Sequence, residues 1–366
     1  MSEFTAELIS ATTSMIDRIG VDLQTPARGT DSAIWAQLDA AGFTTIGIPE
    51  TAGGDGATLA DVLAIVAVAA RRGALTPLIE HTVLAHWLAA SAGHTPAAAT
   101  ASAAVGHSCS VRSLDGATVL NGTVTDVAYA GDADTLVVLL PPEPGAEGSS
   151  VATVAMSGPG VTITAEADPI GVSIGDVTFE DAPVLFYGAA PVSLDEFVRR
   201  GALAYAAATT AAAAAVHDHT LRYASERTQF GRPLAKFQAV QQRLAQLAAL
   251  TTMMEIAVDT ATAADDTPED PYVATAAAKV VTAMSAQPVA AAGHQIHGAI
   301  GTTSEHPLGR FTTSLWSWRD RHGSESFWAD ALASRILDDG VDVWDVVVGT
   351  RSTHDETPTT TDRSRP

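Results

Sequence analysis

Two short segments carry side chains whose types and spacing suit the grip of an anion. In Tyr223-Ala-Ser-Glu-Arg227-Thr-Gln229-Phe230-Gly231 an arginine follows a helical run, and its guanidinium offers a planar fork of donors that matches a pyrophosphate. In Gln295-Ile-His297-Gly298-Ala299-Ile300-Gly301 the glycines leave backbone N–H groups bare, the second ingredient of a phosphate cradle. Taken singly, each has an ordinary alternative. An arginine after a helix is usually a solvated surface charge, and a glycine turn is usually a helix C-cap.

A third segment offers acid–base chemistry. His322 stands in Asp320-Arg321-His322-Gly323-Ser324-Glu325, and a neutral imidazole accepts protons near pH 7. Flanked by Arg319, Asp320 and Arg321, such a residue is more often a surface or packing histidine, and Glu325 reads as a carboxylate at a helix start, favoured there by the dipole. The single cysteine, Cys109, has no second thiolate for a disulfide or a zinc site, so no metal is expected and a reducing compartment fits.

The elements that must position these groups fall into blocks. From Met1 to about Ala104 the signals are helical: an apolar face at Ile34, Leu38 and Ala41, then a glycine-rich break at Gly53, Gly54 and Gly56. Thr58 and Asp61 make a capping box for a helix from Leu59 to Arg72, with Leu63, Val66, Ala67 and Ala70 facing a core. Between 105 and 193 short β-branched runs predict a small β-domain, with Asn121-Gly122 as a hairpin turn. From 194 to 348 the helical period returns. One stripe is Phe237, Val240, Leu244 and Leu247, another is Val273, Ala277, Val280 and Met284, and Pro288 is expected to kink the second helix; together they predict a four-helix bundle. Residues 349–366 lack an apolar period and are expected to be disordered.

Composition excludes several partners. The chain has 366 residues with 42 acidic against 20 basic side chains, and a net charge of −22 repels nucleic acid and anionic membranes. The first ten residues carry no basic leader and no apolar run is long enough to span a bilayer, so the expectation is a cytoplasmic protein.

The three segments in order resemble the FAD-dependent acyl-CoA dehydrogenase family. Arg227-Thr-Gln-Phe230-Gly231 followed by Phe237-Gln238 is similar to the family's Arg-x-x-Phe-Gly and its Gln-containing helix. Gln295-Ile-His-Gly298-Ala299-Ile-Gly301 is similar to its Gln-x-x-Gly-Gly-x-Gly turn, with Ala299 for the second glycine. Gly47-Ile-Pro49-Glu50-x-x-Gly53-Gly54-x-Gly56 resembles the loop closing its first helical block, so the likeness covers roughly residues 30 to 340. The resemblance implies an α+β fold: an N-terminal helical domain (1–104), a middle small β-barrel or sandwich domain (105–193) and a C-terminal four-helix bundle. It also implies FAD as cofactor and an acyl-CoA thioester as substrate, with an electron-transfer acceptor. As cofactor-binding residues it implies Arg227, Gln229, Phe230, Leu234, Phe237, Gln238, Gln295, Gly298 and Ala299, reaching FAD held mainly by a neighbouring subunit. Leu234 and Phe237 read equally as core residues.

The pattern fails where chemistry is done. Family members remove a substrate proton with a carboxylate that stands before a Gly-Thr pair; here His322 occupies that place, so the usual catalytic base is missing. Relatives that place it early in the first bundle helix would have it near Gly201, and the nearest carboxylate is Glu196. The family's Thr-Glu-Pro and Gly-Ser-Asp segments of the β-domain are also absent. The half of the FAD site that serves a neighbour survives, while the half that performs chemistry does not. The chain is thus similar to the small paired subunits with which actinobacteria oxidise steroid-derived CoA thioesters. The resemblance implies an α2β2 assembly with a homologous subunit that supplies the glutamate. A homo-oligomer using His322 or Glu196 as base, and a scaffold without activity, are the alternatives.

Overall fold

The computed structural model describes all residues except 1, 26–28, 96–99, 143–147, 266, 268–270, 338–343 and 345–366. The expected disordered tail lies outside the described residues. Helices α1 (Glu3–Ile19), α2 (Ser32–Ala40) and α3 (Leu59–Arg71) form the N-terminal block, followed by a π-helix (Ile79–His86) that runs into α4 (Trp87–Ser91). The Thr58 hydroxyl accepts from the Asp61 N–H while the Asp61 carboxylate accepts from the Thr58 N–H, so the capping box forms as read. Of the face expected to be apolar on α2, Ile34 and Leu38 are buried and Ala41 is an exposed C-cap.

Seven strands follow: β1 (Ala101–Val105), β2 (Ser110–Leu114), β3 (Ala117–Ala128), β4 (Thr135–Leu140), β5 (Ser149–Ala155), β6 (Val161–Ala167) and β7 (Ser173–Ala190). They pair in the order β1-β4-β5-β7-β3-β2, with β6 on β7 and only β1–β4 parallel. Strand β7 is long because it serves two surfaces: residues 174–183 pair with β3, while Val184–Ala190 pair with β5. The apolar positions of both parts enclose one core, including Leu120, Val124, Leu136, Val138, Val154, Val177 and Phe179.

The hairpin was expected at Asn121-Gly122, and the structure corrects this. Both residues lie inside β3, and the turn is Asp115-Gly116, whose φ of 50° and 84° suit a two-residue type I′ turn. Gly122 is needed for another reason: a Cβ there would meet the Ser108 carbonyl oxygen at 2.3 Å, where the sheet bulges.

The bundle consists of α5 (Leu194–Glu226), α6 (Gln238–Asp265), α7 (Tyr272–His297) and α8 (Leu308–Trp318), with α9 (Glu325–Leu337) on α7. A tight hairpin, β8 (Thr228–Gln229) and β9 (Arg232–Pro233), joins α5 to α6. Residues Ala202–Val216 of α5 are buried throughout, and small side chains let neighbouring helices pack on every side. Helix α7 runs through Pro288, which lies on an exposed face. Its expected stripe is also corrected: Ala277 and Met284 are exposed, and the buried face carries Thr275, Lys279, Thr282 and Ser285 among alanines.

One buried cation ties the blocks together. Arg310 of α8 is 8% exposed and donates to the Gly73 carbonyl at 2.5 Å, the Asp22 carbonyl at 3.3 Å and the Asp31 carboxylate at 2.5 Å. Asp31 in turn accepts from the Leu75 N–H at 2.7 Å. Replacing Arg310 by Met leaves that carboxylate without its cation, and the expected loss is about 3–5 kcal/mol in a urea unfolding experiment; a loss below about 1 kcal/mol contradicts this role.

In the π-helix, burial pushes His81 down to about 2 and His86 down to about 4, so both rings are neutral in the folded chain. The unfolded chain protonates them below about pH 6.5. Their contribution to stability is therefore complete above that pH and is lost as pH falls from about 6.5 toward 4. The urea midpoint should fall across this window and fall less steeply in His86→Leu; an unchanged slope in that variant refutes a buried neutral His86.

Candidate functional site

Helix α5 ends at Glu226, and the Arg227 N–H closes its last turn on the Tyr223 carbonyl at 2.8 Å. The chain then turns through Phe230 (φ 50°) and Gly231 (φ 79°), and the Leu234 N–H returns to the Arg227 carbonyl at 2.9 Å. This closed loop holds Arg227 at the surface. Among the described residues no carboxylate or carbonyl pairs with its guanidinium. Phe230 is 92% exposed at the hairpin tip, Arg232 lies over the Phe237 ring at 4.2 Å, and Gln229 and Gln238 are exposed. Leu234 and Phe237 are half-buried.

The second segment ends α7. Gly298 takes φ 66°, a conformation that favours glycine, and begins a 3-10 turn to Thr302. Gln295, Gly298, Ala299 and Ile300 are exposed. The α5 and α7 ends are linked beneath the surface, where the His297 ring stacks on Tyr223 at 4.4 Å. All nine residues expected to bind the cofactor thus belong to the two surface segments that follow α5 and end α7.

One signal in the sequence lies in charge rather than in a motif. Residues 222–243 hold Arg222, Arg227, Arg232, Lys236 and Arg243 against Glu226 alone, a local excess of four positive charges on a chain of net charge −22. The Gly298 N–H is taken by the His294 carbonyl, so the guanidinium of Arg227 and the cations near it in sequence are the donors that fit the phosphate-bearing half of a dinucleotide.

The interior site is of a different kind. His322 (φ 51°) is half-buried, and its ring lies 5.8 Å from Tyr205 and 5.7 Å from Phe197. A Cβ on Gly201 would meet the His322 Nδ1 at 2.3 Å, so the imidazole occupies space that only a glycine leaves free. Burial, with Lys279 and Arg321 nearby, pushes His322 down to about 3, and burial pushes Lys279 down to about 7. Tyr205 donates a short hydrogen bond to Glu80, whose carboxyl is raised by burial. The void beside them, bounded by Leu75, Ile79, Tyr129, Tyr205, Ala208 and Trp318, measures about 30 Å³. That is room for about one water molecule, whereas pockets for small-molecule ligands run to about 300–1,000 Å³. This void is therefore too small for a flavin ring or an acyl chain.

Two further candidates separate from the site. Glu196 sits in the first turn of α5, where its N–H is capped by Ser193, and makes no contact with His322. Burial raises the Cys109 thiol to about 11, which leaves it a poor nucleophile. A cleft of about 990 Å³ between α1, α3, α5 and α6 contains none of the expected site residues.

Residues 194–340 match the family model described as acyl-CoA dehydrogenase, C-terminal domain. The chain is 29% identical over 310 residues to the acyl-CoA dehydrogenase FadE27 of Mycobacterium tuberculosis, covering 77% of this chain and 82% of that protein. It is likewise 29% identical to the acyl-CoA dehydrogenase IpdE2 of the same organism, covering 77% and 79%. Among solved structures, the ChsE4-ChsE5 complex from Mycobacterium tuberculosis superposes with a TM-score of 0.80 at 22% identity, over 92% of this chain and 98% of that one. The butyryl-CoA dehydrogenase from Megasphaera elsdenii superposes with a TM-score of 0.76 at 18% identity, over 92% and 99%. On these matches, residues 194–340 carry the C-terminal domain of the acyl-CoA dehydrogenases, and the chain as a whole is similar to members of that family in the order of helical block, β-domain and bundle.

Proposed function

We propose that this chain is the non-catalytic subunit of a heteromeric, flavin-dependent acyl-CoA dehydrogenase, lending half of a cofactor site to a homologous partner that supplies the catalytic glutamate. FAD is the family's cofactor; when bound, its ring accepts the hydride removed from the thioester's β-carbon. The observation that carries the reading is the contrast between two places in one chain. The phosphate-binding surface around Arg227 and Gly298 is open and unpaired, while the interior where chemistry would occur is sealed to about 30 Å³ by Tyr205, Tyr129 and their neighbours, with His322 packed behind Tyr205.

In this arrangement Arg227 engages the pyrophosphate through its fork and the exposed backbone of Gly298 and Ala299, where a side chain is absent or small, lets the same anion approach closely. Gln229, Gln238 and Gln295 offer amide hydrogen bonds along the cofactor. The exposed Phe230 and half-buried Phe237 are the apolar surfaces against which a ring system rests. These residues hold and orient; no proton leaves the substrate through any of them. Resemblance to proteins from a steroid dehydrogenase complex supports a bulky polycyclic acyl group as substrate, and an electron-transferring flavoprotein among the structural neighbours accords with a flavoprotein acceptor.

Expressed alone, the chain should be colourless and inactive; co-expressed with homologous subunits of its own genome, it should purify as a yellow complex. Arg227→Ala in that complex should weaken FAD binding by about tenfold to a hundredfold, read by fluorescence titration, because a charge-assisted pair is lost. Unchanged flavin content would remove the central support.

A homo-oligomer with His322 as base is the second reading, favoured only by the position of that residue. It requires the complex to lose at least about a hundredfold in kcat in His322→Ala, the usual contribution of a general base. We expect a change within about twofold.

A further inference from the structure

Beneath the open surface lies a ring cluster that the family resemblance does not account for. His297 is 4% exposed and stacks on Tyr223 at 4.4 Å with an interplanar angle of 24°, while His306 meets it edge-on at 4.7 Å. Its Nδ1 donates to the Gly293 carbonyl at 2.8 Å, and His306 Nδ1 accepts from the Leu308 N–H at 3.1 Å. The cluster therefore joins the last turn of α5, the last turn of α7 and the start of α8.

One glycine is shaped around His297 and a second lets α7 approach α5. A Cβ on Gly301 would meet the His297 Cβ at 2.7 Å, and one on Gly293 would meet the Val216 side chain at 2.9 Å. Tyr223 is also the residue whose carbonyl closes the turn ending at Arg227, and His297 directly precedes Gly298. The stack is thus one residue from the amide turn and one helical turn from the guanidinium.

We propose that His297 is the positioning residue of the half-site: clamped between Tyr223 and His306, it fixes the separation of the Arg227 guanidinium from the Gly298 amide turn. The stack joins α5 to α7 at the end where both groups sit, beyond the packing of Gly293 on Val216, and so sets whether both reach the two phosphates of one ligand. The inference rests on the half-site reading proposed above. A neutral ring suits the role. Burial lowers His297 to about 4, so the ring adds no charge to the stack at neutral pH.

The test uses the assembled complex with its partner, stripped of flavin and titrated with FAD. His297→Leu should raise the FAD dissociation constant about tenfold, the size of a lost aromatic pair. His297→Phe, which keeps the stack, should stay within about threefold of the parent. At saturating FAD, kcat should be unchanged in both, and their thermal midpoints should agree. If His297→Leu does not assemble, His297→Gln takes its place, with weak binding expected beside tight binding in His297→Phe. FAD affinity unchanged in the leucine or glutamine variant, while Arg227→Ala loses it, overturns the positioning role and leaves the half-site intact. If Arg227→Ala is also unchanged, both ideas fall. A kcat that drops at saturating FAD in His297→Leu overturns the proposal as well, because it marks general damage.

Discussion

The contact between His322 and the bare Cα of Gly201 is the constraint on which the interior depends. An imidazole can lie against α5 only where no Cβ projects, and the backbone of the loop before α9 is arranged to deliver it: Gly323 takes φ 102° and the Trp328 indole N–H donates to the His322 carbonyl at 2.9 Å. The ring then closes over Tyr205, which is held by Glu80. What resembles a catalytic centre by position is therefore packed as a core. A carboxylate, a tyrosine and a lysine are enclosed together, and burial favours the neutral form of each.

The surface follows the opposite logic. Two arginines withdrawn from solvent find partners: Arg310 is satisfied by two carbonyls and a carboxylate, and Arg199 meets Asp265 at 2.5 Å. Arg227 finds none among the described residues, although 42 acidic side chains are available in the sequence. A guanidinium unpaired among the described residues, followed by an aromatic side chain that is 92% exposed, accords with the half-site proposed above.

Much of this was legible in the sequence because it rests on local rules. The Thr58–Asp61 capping box, the glycine at the end of α7 and the start of α9 at Glu325 each need only a few neighbouring residues to be recognised. Errors arose where tertiary contacts decide. Asn121-Gly122 has the composition of a turn, yet Asn121 is claimed by Asp181 across the sheet and Gly122 by the approach of Ser108. On α7 the apolar stripe pointed partly outward, because the inward face packs small residues and Lys279 rather than large aliphatics. The sealed state of the interior was not readable at all. It depends on the joint placement of Gly201, Tyr205, Glu80 and His322, which lie up to 242 positions apart, from residue 80 to residue 322.

The uneven charge of residues 222–243 has a kinetic consequence. A molecule with an overall negative field and one cationic face behaves as a dipole in solution, and an approaching anionic body is rotated toward that face before any contact forms. Encounter is then orientated rather than random, and faster in dilute salt than in concentrated salt. The excess acid over the remainder of the surface meanwhile keeps like copies apart, so the same distribution that draws in a complementary body discourages a second copy of this chain from docking in its place.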